Sequence, residues 1–177
     1  MVKRDNHYEA AFEAYLRTIE VPYVAVDELR RSLTADGQSI KNLDFIVTSP
    51  AGVSWLIDVK GRRFPSGEGQ RHYWKNWSTN DDLKSLARWE ALFGPSFAGL
   101  FVFAYNIVGD RAPLAEDRLF EYREALYGFV GVPLAAYVST ARPISPAWET
   151  VAVPTAQFRR LARPVDDFLL GCSSTDR

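Results

Sequence analysis

The feature that most constrains the fold is a nearly unbroken apolar run in the middle of the chain, FAGLFVFAYNIV at residues 97–108. Its apolar side chains stand at consecutive positions instead of alternating with polar ones. This pattern is typical of a strand that is buried on both faces. We therefore expect the run to lie inside a β-sheet that is covered on both sides.

The segments before this run predict an α/β domain with a mixed central β-sheet flanked by helices. Residues 6–20 and 78–95 each carry apolar side chains with the period of an α-helix, behind a polar residue that can cap the start. Three shorter stretches between them are rich in β-branched and aromatic residues, which predicts strands. The predicted strands are residues 21–29, 42–49 and 52–61, and the last two form a hairpin. We predict a polar turn at residues 34–39 and an exposed loop at residues 62–77.

The ends and faces of the two helices can also be predicted. The first helix is capped by Asp5 or Asn6, and the second by Ser78 or Thr79. The buried side of the second helix consists of Leu83, Leu86, Ala87 and Phe93.

The pattern is weaker in the C-terminal third of the chain. Its length of 177 residues suits one domain. We expect a core at about residues 6–105, an extension at about residues 106–170 and a polar tail at residues 171–177. Within the extension we predict strand between residues 118 and 130, a short helix at 133–138, a strand at 149–154 and a last helix at 155–162.

Composition excludes several classes of site. The single cysteine, Cys172, and the two histidines, His7 and His72, are too few for a disulfide framework or a cysteine- or histidine-based zinc site. No stretch approaches the roughly 18 apolar residues of a membrane span, so we expect a cytoplasmic protein without a membrane partner. The net charge of -1 argues against coating of nucleic acid by bulk charge, yet residues 60–75 carry five basic residues against one acidic residue.

Asp58 and Lys60 lie at the end of the predicted strand 52–61. Because side chains alternate along a strand, both point to the face that also carries Leu56. We expect the pair at the rim of the sheet. There it is either an ordinary ion pair or a pair of groups held out to a substrate.

Asp44 begins the neighbouring strand, within an apolar run. A carboxylate in such a run is costly to desolvate unless its charge is compensated, and a divalent cation would compensate it. The carboxylates of Asp44 and Asp58 and the main-chain carbonyl of Val59 form the hard oxygen environment that Mg²⁺ prefers. The alternative is a structural carboxylate whose hydrogen bonds come from the protein.

The first helix offers a third carboxylate. With 100° per residue, Glu9 falls at the border of the apolar stripe, whereas Glu13 lies about 40° further towards solvent. Glu9 is therefore better placed to face the sheet, and Glu13 is the fallback; a solvated Glu9 is the alternative. His7 could approach a phosphate or a metal from the same helix start, or be a capping or exposed residue.

The order of these residues resembles the PD-(D/E)xK nuclease superfamily. In this sequence Glu9 on a helix is followed by Asp44 and then Asp58-Val59-Lys60 on consecutive strands, and by a second helix. The resemblance covers about residues 6–105, with Leu43 where the name-giving proline would stand and aspartate instead of glutamate at position 58. A second D-x-K, Asp82-Leu83-Lys84, opens a helix, and we interpret its aspartate as a charge that favours the helix N-terminus.

The resemblance implies a fold and a chemistry. The fold is the restriction-endonuclease-like αβββαβ core, shared by restriction endonucleases and archaeal-type Holliday junction resolvases. Asp44, Asp58 and Glu9 would bind Mg²⁺ or Mn²⁺, and Lys60 would be the catalytic lysine. These residue types suit hydrolysis of a phosphodiester, which needs an activated water and stabilisation of anionic oxygens.

The function predicted on this basis is a metal-dependent endonuclease that hydrolyses DNA in repair, recombination, a mobile element or defence. RNA stays open as a substrate, and so does assembly into a homodimer or a larger nuclease complex. A catalytically silent nucleic-acid-binding or assembly subunit with the same fold is the alternative, and an unrelated α/β protein is a third hypothesis.

Candidate phosphate contacts cluster after the strand that carries Asp58 and Lys60. Arg62 and Arg63 follow it directly, and a solvated loop is the alternative for them. Aromatic residues are interleaved with the next cations and could stack on unpaired bases or pin the loop to the core. Lys84 and Arg88 are four positions apart, hence on one face of the second predicted helix, and could follow a nucleic-acid backbone; surface solubility is the alternative. The full set of predicted nucleic-acid contacts is Arg62, Arg63, Arg71, Lys75, Lys84 and Arg88, and the aromatic candidates are Tyr73, Trp74 and Trp77.

Overall fold

The computed structural model describes residues 6–27 and 31–171. It has five α-helices and twelve β-strands within those residues. The helices are α1 (His7–Thr18), α2 (Asn80–Phe93), α3 (Leu134–Thr140), α4 (Thr155–Leu161) and α5 (Val165–Leu169). The strands are β1 (Tyr23–Ala25), β2 (Arg31–Leu33), β3 (Ser39–Lys41), β4 (Phe45–Thr48), β5 (Ser54–Phe64), β6 (Ser78–Thr79), β7 (Phe97–Ile107), β8 (Phe120–Tyr122), β9 (Ala125–Pro133), β10 (Arg142–Ser145), β11 (Thr150–Ala152) and β12 (Arg163–Pro164).

The central sheet is mixed, as the sequence predicted. Its strand order is β1-β4-β5-β7-β9-β12, with β8 paired to β9. Strands β5 and β7 are parallel along their whole length, and the other neighbours are antiparallel. The apolar run at 97–108 forms β7, which is buried on both faces in the middle of the sheet.

The two faces of the sheet are covered by different helices. On one face, Phe12 of α1 packs with Ile57 and Val59 of β5 and with residues of α5. On the other face, Leu56 of β5 packs in a second cluster with Leu86 of α2 and with residues of α3 and α4. Strand β5 is therefore held between α1 and α2, so side chains on its two faces approach different helices.

Both predicted helix starts are confirmed. The side chain of Asn6 accepts a hydrogen bond from the Tyr8 amide and caps α1, while Asp5 lies outside the described residues, as does the tail residue Cys172. Thr79 and Asp82 form a capping box at the start of α2. The predicted buried side of α2 is only partly right, because Leu86 is buried and Leu83 half-buried, whereas Ala87 and Phe93 are exposed.

The prediction of an exposed loop at residues 62–77 is wrong at both ends. Strand β5 continues to Phe64, because β7 supplies a parallel partner as far as Ile107. Phe64 is buried against aromatic neighbours that include Tyr105. Near the other end, the buried Asn76 donates a hydrogen bond to the Val153 carbonyl and accepts one from the Val153 amide.

Other differences lie in short, polar segments. Around the predicted turn at 34–39, strands β2 and β3 form a hairpin whose pairing sets Ser32 opposite Ile40. In the C-terminal third, β8, β9, α3, β11 and α4 agree with the prediction, whereas β10, β12 and α5 were not predicted. No helix among the described residues is long and apolar enough to span a membrane.

Candidate active site

The predicted site residues come together in one cleft of about 390 Å³. They arrive from α1, from the start of β4 and from the middle of β5, and the first turn of α2 closes the cleft. The lining residues are Asn6, Glu9, Arg31, Lys41, Asn42, Asp44, Asp58, Val59, Lys60 and Asp82. Glu9, Asp44, Asp58 and Lys60 thus share one opening although they are up to 51 positions apart in the chain.

Asp58 and Lys60 lie within β5 and not at its end, which corrects the expected rim position. The antiparallel pairing of β4 with β5 stops at Ile57, whereas β5 runs on beside β7. The edge of β5 beyond Ile57 is therefore free of β4. The cleft opens at this free edge. Asp58 and Lys60 therefore lie on a part of β5 that is paired with β7 on its other side.

Asp44 lies directly before β4 and is 5% exposed. Its Oδ2 accepts a hydrogen bond of 2.6 Å from the Val59 amide. The carboxylate thus serves as the acceptor for β5 just beyond Ile57, where the pairing with the β4 backbone ends. A residue in a strand directs its N–H and C=O to the same neighbouring strand. The Val59 carbonyl therefore points to the same side of β5 as Asp44.

The structure separates the two candidate glutamates of α1. Glu9 is 1% exposed, lines the cleft and accepts a 2.6 Å hydrogen bond from Asn6. Glu13 instead pairs with Arg17 at 2.8 Å and accepts a hydrogen bond from the Tyr23 hydroxyl. Only Glu9 is positioned to act together with Asp44.

His7 does not line the cleft. It is exposed, and its Nδ1 lies 2.8 Å from the hydroxyl of Tyr127. The predicted approach of His7 to a phosphate or a metal is not seen in this arrangement.

Reasoning from sequence missed Arg31, Lys41, Asn42 and Asp82 as residues of the cleft. Two of them, Asp82 and Lys41, form a chain of ion pairs that begins at Lys60. Lys60 Nζ contacts Asp58 Oδ1 at 2.7 Å, and it also lies 3.1 Å from Oδ2 of Asp82. Lys41, from the β2–β3 hairpin, contacts Oδ1 of the same Asp82 at 2.8 Å. Asp82 keeps its predicted role at the start of α2, but the D-x-K triplet gave no sign that its carboxylate would reach β5.

The charges in the cleft shift one another's protonation equilibria. Burial raises the pKa of the Asp58 carboxyl, although the Lys60 ammonium acts in the opposite direction. Burial also works to lower the pKa of Lys60, but Asp58 and Asp82 outweigh it and raise that pKa. Burial disfavours the charged form of Asp82, yet Lys60 and hydrogen bonds from Lys41 and Thr79 hold the pKa of its carboxyl well below the usual range.

The donor set has the chemistry of a Mg²⁺ or Mn²⁺ site, because carboxylates and a main-chain carbonyl are hard oxygen ligands. Its members share one cleft, but Asp58 is turned towards Lys60 and Asp44 towards the Val59 amide. Within residues 6–27 and 31–171, no three histidine, cysteine, aspartate or glutamate side chains are grouped as a ready metal site. Both carboxylate oxygens of Asp58 contact Lys60 Nζ, at 2.7 and 3.0 Å, so a cation bound by Asp58 would compete with Lys60 for them.

The predicted phosphate contacts differ in how freely they face solvent. Arg62 lies with its guanidinium 4.0 Å from the ring centre of Trp77, and it donates hydrogen bonds to the main-chain carbonyls of Gly61 and Trp77. Burial lowers the pKa of Arg62. These contacts make Arg62 an anchor for the segment before α2.

The other predicted phosphate contacts lie nearer the solvent. Arg63, Lys75 and Lys84 are exposed. Arg71 pairs with Asp110 at 3.7 Å, and Arg88 pairs with Asp36 at 2.8 Å.

The three aromatic candidates also separate. Tyr73 and Trp74 pack edge to face on Phe64, which favours the interpretation that they pin the segment to the core. Trp77 is 40% exposed and stacks on Arg62. Of the three, Trp77 is the one with a substantial area open to a ligand.

Comparison with known proteins supports the fold. No family model matches the chain, and no curated protein does. A solved structure of Hjc, a Holliday junction resolvase from the archaeal hyperthermophile Archaeoglobus fulgidus, is similar to it with a TM-score of 0.54 and 11% sequence identity. The match covers 92% of this chain and 98% of that chain. At this identity the similarity concerns the fold alone, and it confirms the restriction-endonuclease-like architecture implied by the resemblance.

Proposed function

We propose that the protein is a metal-dependent nuclease that hydrolyses DNA phosphodiester bonds in the cleft between α1, β5 and α2. One observation carries the proposal: three acids and a lysine from three parts of the chain, Glu9, Asp44, Asp58 and Lys60, line the same cleft. The resolvase fold of the structural neighbour supports DNA as the substrate class and recombination as the context.

The residues divide the work of hydrolysis. Glu9, Asp44, Asp58 and the Val59 carbonyl would hold a Mg²⁺ or Mn²⁺ ion, which lowers the pKa of a bound water and takes up negative charge from phosphoryl oxygens. Lys60 would orient or deprotonate the attacking water, or stabilise charge that develops on the phosphate. The rigid pairing of β5 with β7 keeps Asp58 and Lys60 at fixed positions for these roles.

The test is a cleavage assay with Mg²⁺ on labelled four-way junction, flap, single-stranded and duplex DNA, and on matching RNA. We expect cleavage of at least one DNA substrate, abolished by a chelator. Asp58→Ala and Lys60→Ala should each slow cleavage by about 10²- to 10³-fold, because each removes a group that acts on the reacting phosphate. Circular dichroism checks that the variants are folded.

Equal cleavage by all three proteins would contradict the assignment, because the activity would then come from another site or a contaminant. Binding of the same substrates without cleavage by the wild-type protein would instead support the catalytically silent subunit. A preference for the RNA panel would keep the site and change the substrate.

The exposed cations should govern how binding depends on salt. We expect Arg63→Gln and Lys75→Gln each to reduce the slope of log binding constant against log salt concentration by about 1, since each lost phosphate contact releases one counterion fewer. Fluorescence anisotropy with labelled DNA between low and moderate salt measures the slope. Arg17→Gln is the matched control, because Arg17 is an exposed arginine outside the cleft that pairs with Glu13. Equal slopes for all four proteins would remove Arg63 and Lys75 from the interface.

A further inference from the structure

We propose that Asp82 is a positioning residue for Lys60, and that it holds the ammonium group in the cleft independently of Asp58. The inference deepens the proposed nuclease function and rests on it. Asp82 is not one of the residues expected to bind the metal ion, and it lies on α2, whereas Asp58 and Lys60 lie on β5.

The geometry gives Lys60 two anionic partners from different elements. Its Nζ lies 2.7 Å from Oδ1 of Asp58 and 3.1 Å from Oδ2 of Asp82. The side chain of Lys60 is 15% exposed, so the ammonium group exchanges much of its hydration for these contacts. A charge with little access to water needs a stable partner.

Asp82 is itself firmly held. Its Oδ2 accepts hydrogen bonds from the Ser78 hydroxyl at 3.0 Å and from the Thr79 amide at 2.9 Å, and its Oδ1 faces Lys41 at 2.8 Å. Since the Thr79 contact belongs to the capping box, the start of α2 fixes the position of the carboxylate. Lys60 is therefore tied through Asp82 to a helix terminus.

This second partner matters because Asp58 is expected to serve the metal ion. When Asp58 turns to a cation, Lys60 loses its shorter contact. A lysine side chain without a partner gains rotamer freedom, and its ammonium group would spend less time at the reacting phosphate. With Asp82 in place, one ion pair remains.

Two variants separate positioning from helix capping. Asp82→Asn retains an oxygen that can accept from Ser78 and Thr79 but removes the negative charge beside Lys60. Thr79→Ala removes the hydroxyl that caps the Asp82 amide and does not touch Lys60. We expect Asp82→Asn to slow single-turnover cleavage with Mg²⁺ by about 10- to 100-fold, the usual effect of losing a group that orients a catalytic residue. Its affinity for the substrate should be nearly unchanged. Thr79→Ala should unfold more easily but lose much less of its rate than Asp82→Asn, because the Ser78 hydroxyl and the Thr79 amide still hold the charged carboxylate of Asp82.

A readout that is independent of cleavage follows the lysine itself. In protein labelled with ¹⁵N-lysine, the Lys60 ammonium signal is identified by its loss in Lys60→Met. We expect this signal to stay sharp on addition of Mg²⁺ in the wild type and in Thr79→Ala, and to broaden in Asp82→Asn. A signal equally sharp in Asp82→Asn would overturn the proposal.

The kinetic outcomes distinguish this proposal from the proposed function. If Lys60→Ala cleaves like the wild type, the assignment of the active site fails. If Lys60→Ala loses activity while Asp82→Asn keeps the wild-type rate, only the positioning role of Asp82 fails. A loss in Thr79→Ala as large as that in Asp82→Asn would assign the effect to the helix start and would also overturn the proposal.

Discussion

Asp44→Asn is expected to abolish Mg²⁺-dependent cleavage while leaving the fold at least as stable as the wild type in a chelator. The rate should fall by more than about 10²-fold, because losing a residue that merely supports a metal ligand already costs about 10- to 100-fold. The amide oxygen can still accept the hydrogen bond from Val59, which now comes to Asp44 Oδ2 at 2.6 Å. The substitution also removes one of the four acidic side chains that line the cleft, the others being Glu9, Asp58 and Asp82. Single-turnover cleavage and urea unfolding measure the two effects.

Asp44→Ala provides the comparison. It removes the same charge and in addition leaves the buried Val59 amide without its acceptor, which should cost about 1 to 3 kcal/mol in the free energy of unfolding. Both variants should be inactive, but only Asp44→Ala should be clearly less stable. The difference separates the structural role of the carboxylate from its role towards a cation.

Metal binding can be measured without cleavage. A ligand that binds the native state at 100 times its dissociation constant stabilises it by about 2.7 kcal/mol, so saturating Mg²⁺ should raise the unfolding midpoint of the wild type. The increase should be absent in Asp44→Asn. Glu13→Gln is the matched control, since Glu13 is a carboxylate on α1 that pairs with Arg17 outside the cleft, and it should keep the increase. An undiminished increase in Asp44→Asn would show that Asp44 is not a ligand.

The residues that the sequence could reveal are those whose positions follow from local periodicity. Alternation along β5 was enough to set Asp58 and Lys60 on one face, and the position of Asp44 before an apolar strand marked it as a carboxylate needing compensation. Helical geometry chose Glu9 over Glu13, and the structure places Glu9 in the cleft. Each inference used one segment alone: the repeat of a strand for Asp58 and Lys60, the repeat of a helix for Glu9, and the cost of desolvating a carboxylate for Asp44.

The contacts that the sequence could not reveal depend on how elements meet. The proximity of Asp82 to Lys60 follows from the placement of the α2 start beside β5, and the reach of Lys41 follows from the β2–β3 hairpin. The extension of β5 to Phe64 is a tertiary effect as well, because the charged residues after Lys60 resemble a loop until β7 provides a partner strand. Patterns of charge and polarity in one segment carry no information on such neighbours.

Gly61→Ala is expected to disrupt the same cleft from a residue that carries no functional group. A methyl group at this position would lie 2.1 Å from Cδ2 and 2.2 Å from Cγ of Tyr8. Because Cγ is close to the helix backbone, turning the ring does not relieve the overlap, and the first turn of α1 must shift or the whole side chain must leave. Overpacking of this kind costs about 1 to 3 kcal/mol in the free energy of unfolding. Glu9 follows Tyr8 directly, and a misplacement of about 1 Å can slow catalysis about 10²-fold.

A double-mutant cycle tests this cause, with urea unfolding and single-turnover cleavage as the measurements. In the Tyr8→Ala background the ring is gone. Gly61→Ala should therefore lower the free energy of unfolding by at least about 1 kcal/mol less than it does in the wild type, because the effects of substitutions at contacting residues are not additive. Gly69→Ala is the control, since a methyl group there meets no atom within 4 Å and should change neither quantity. The same cost of Gly61→Ala in both backgrounds would rule out the ring as the obstacle. A smaller cost with restored cleavage would instead show that the close approach of Tyr8 to β5 sets the position of Glu9.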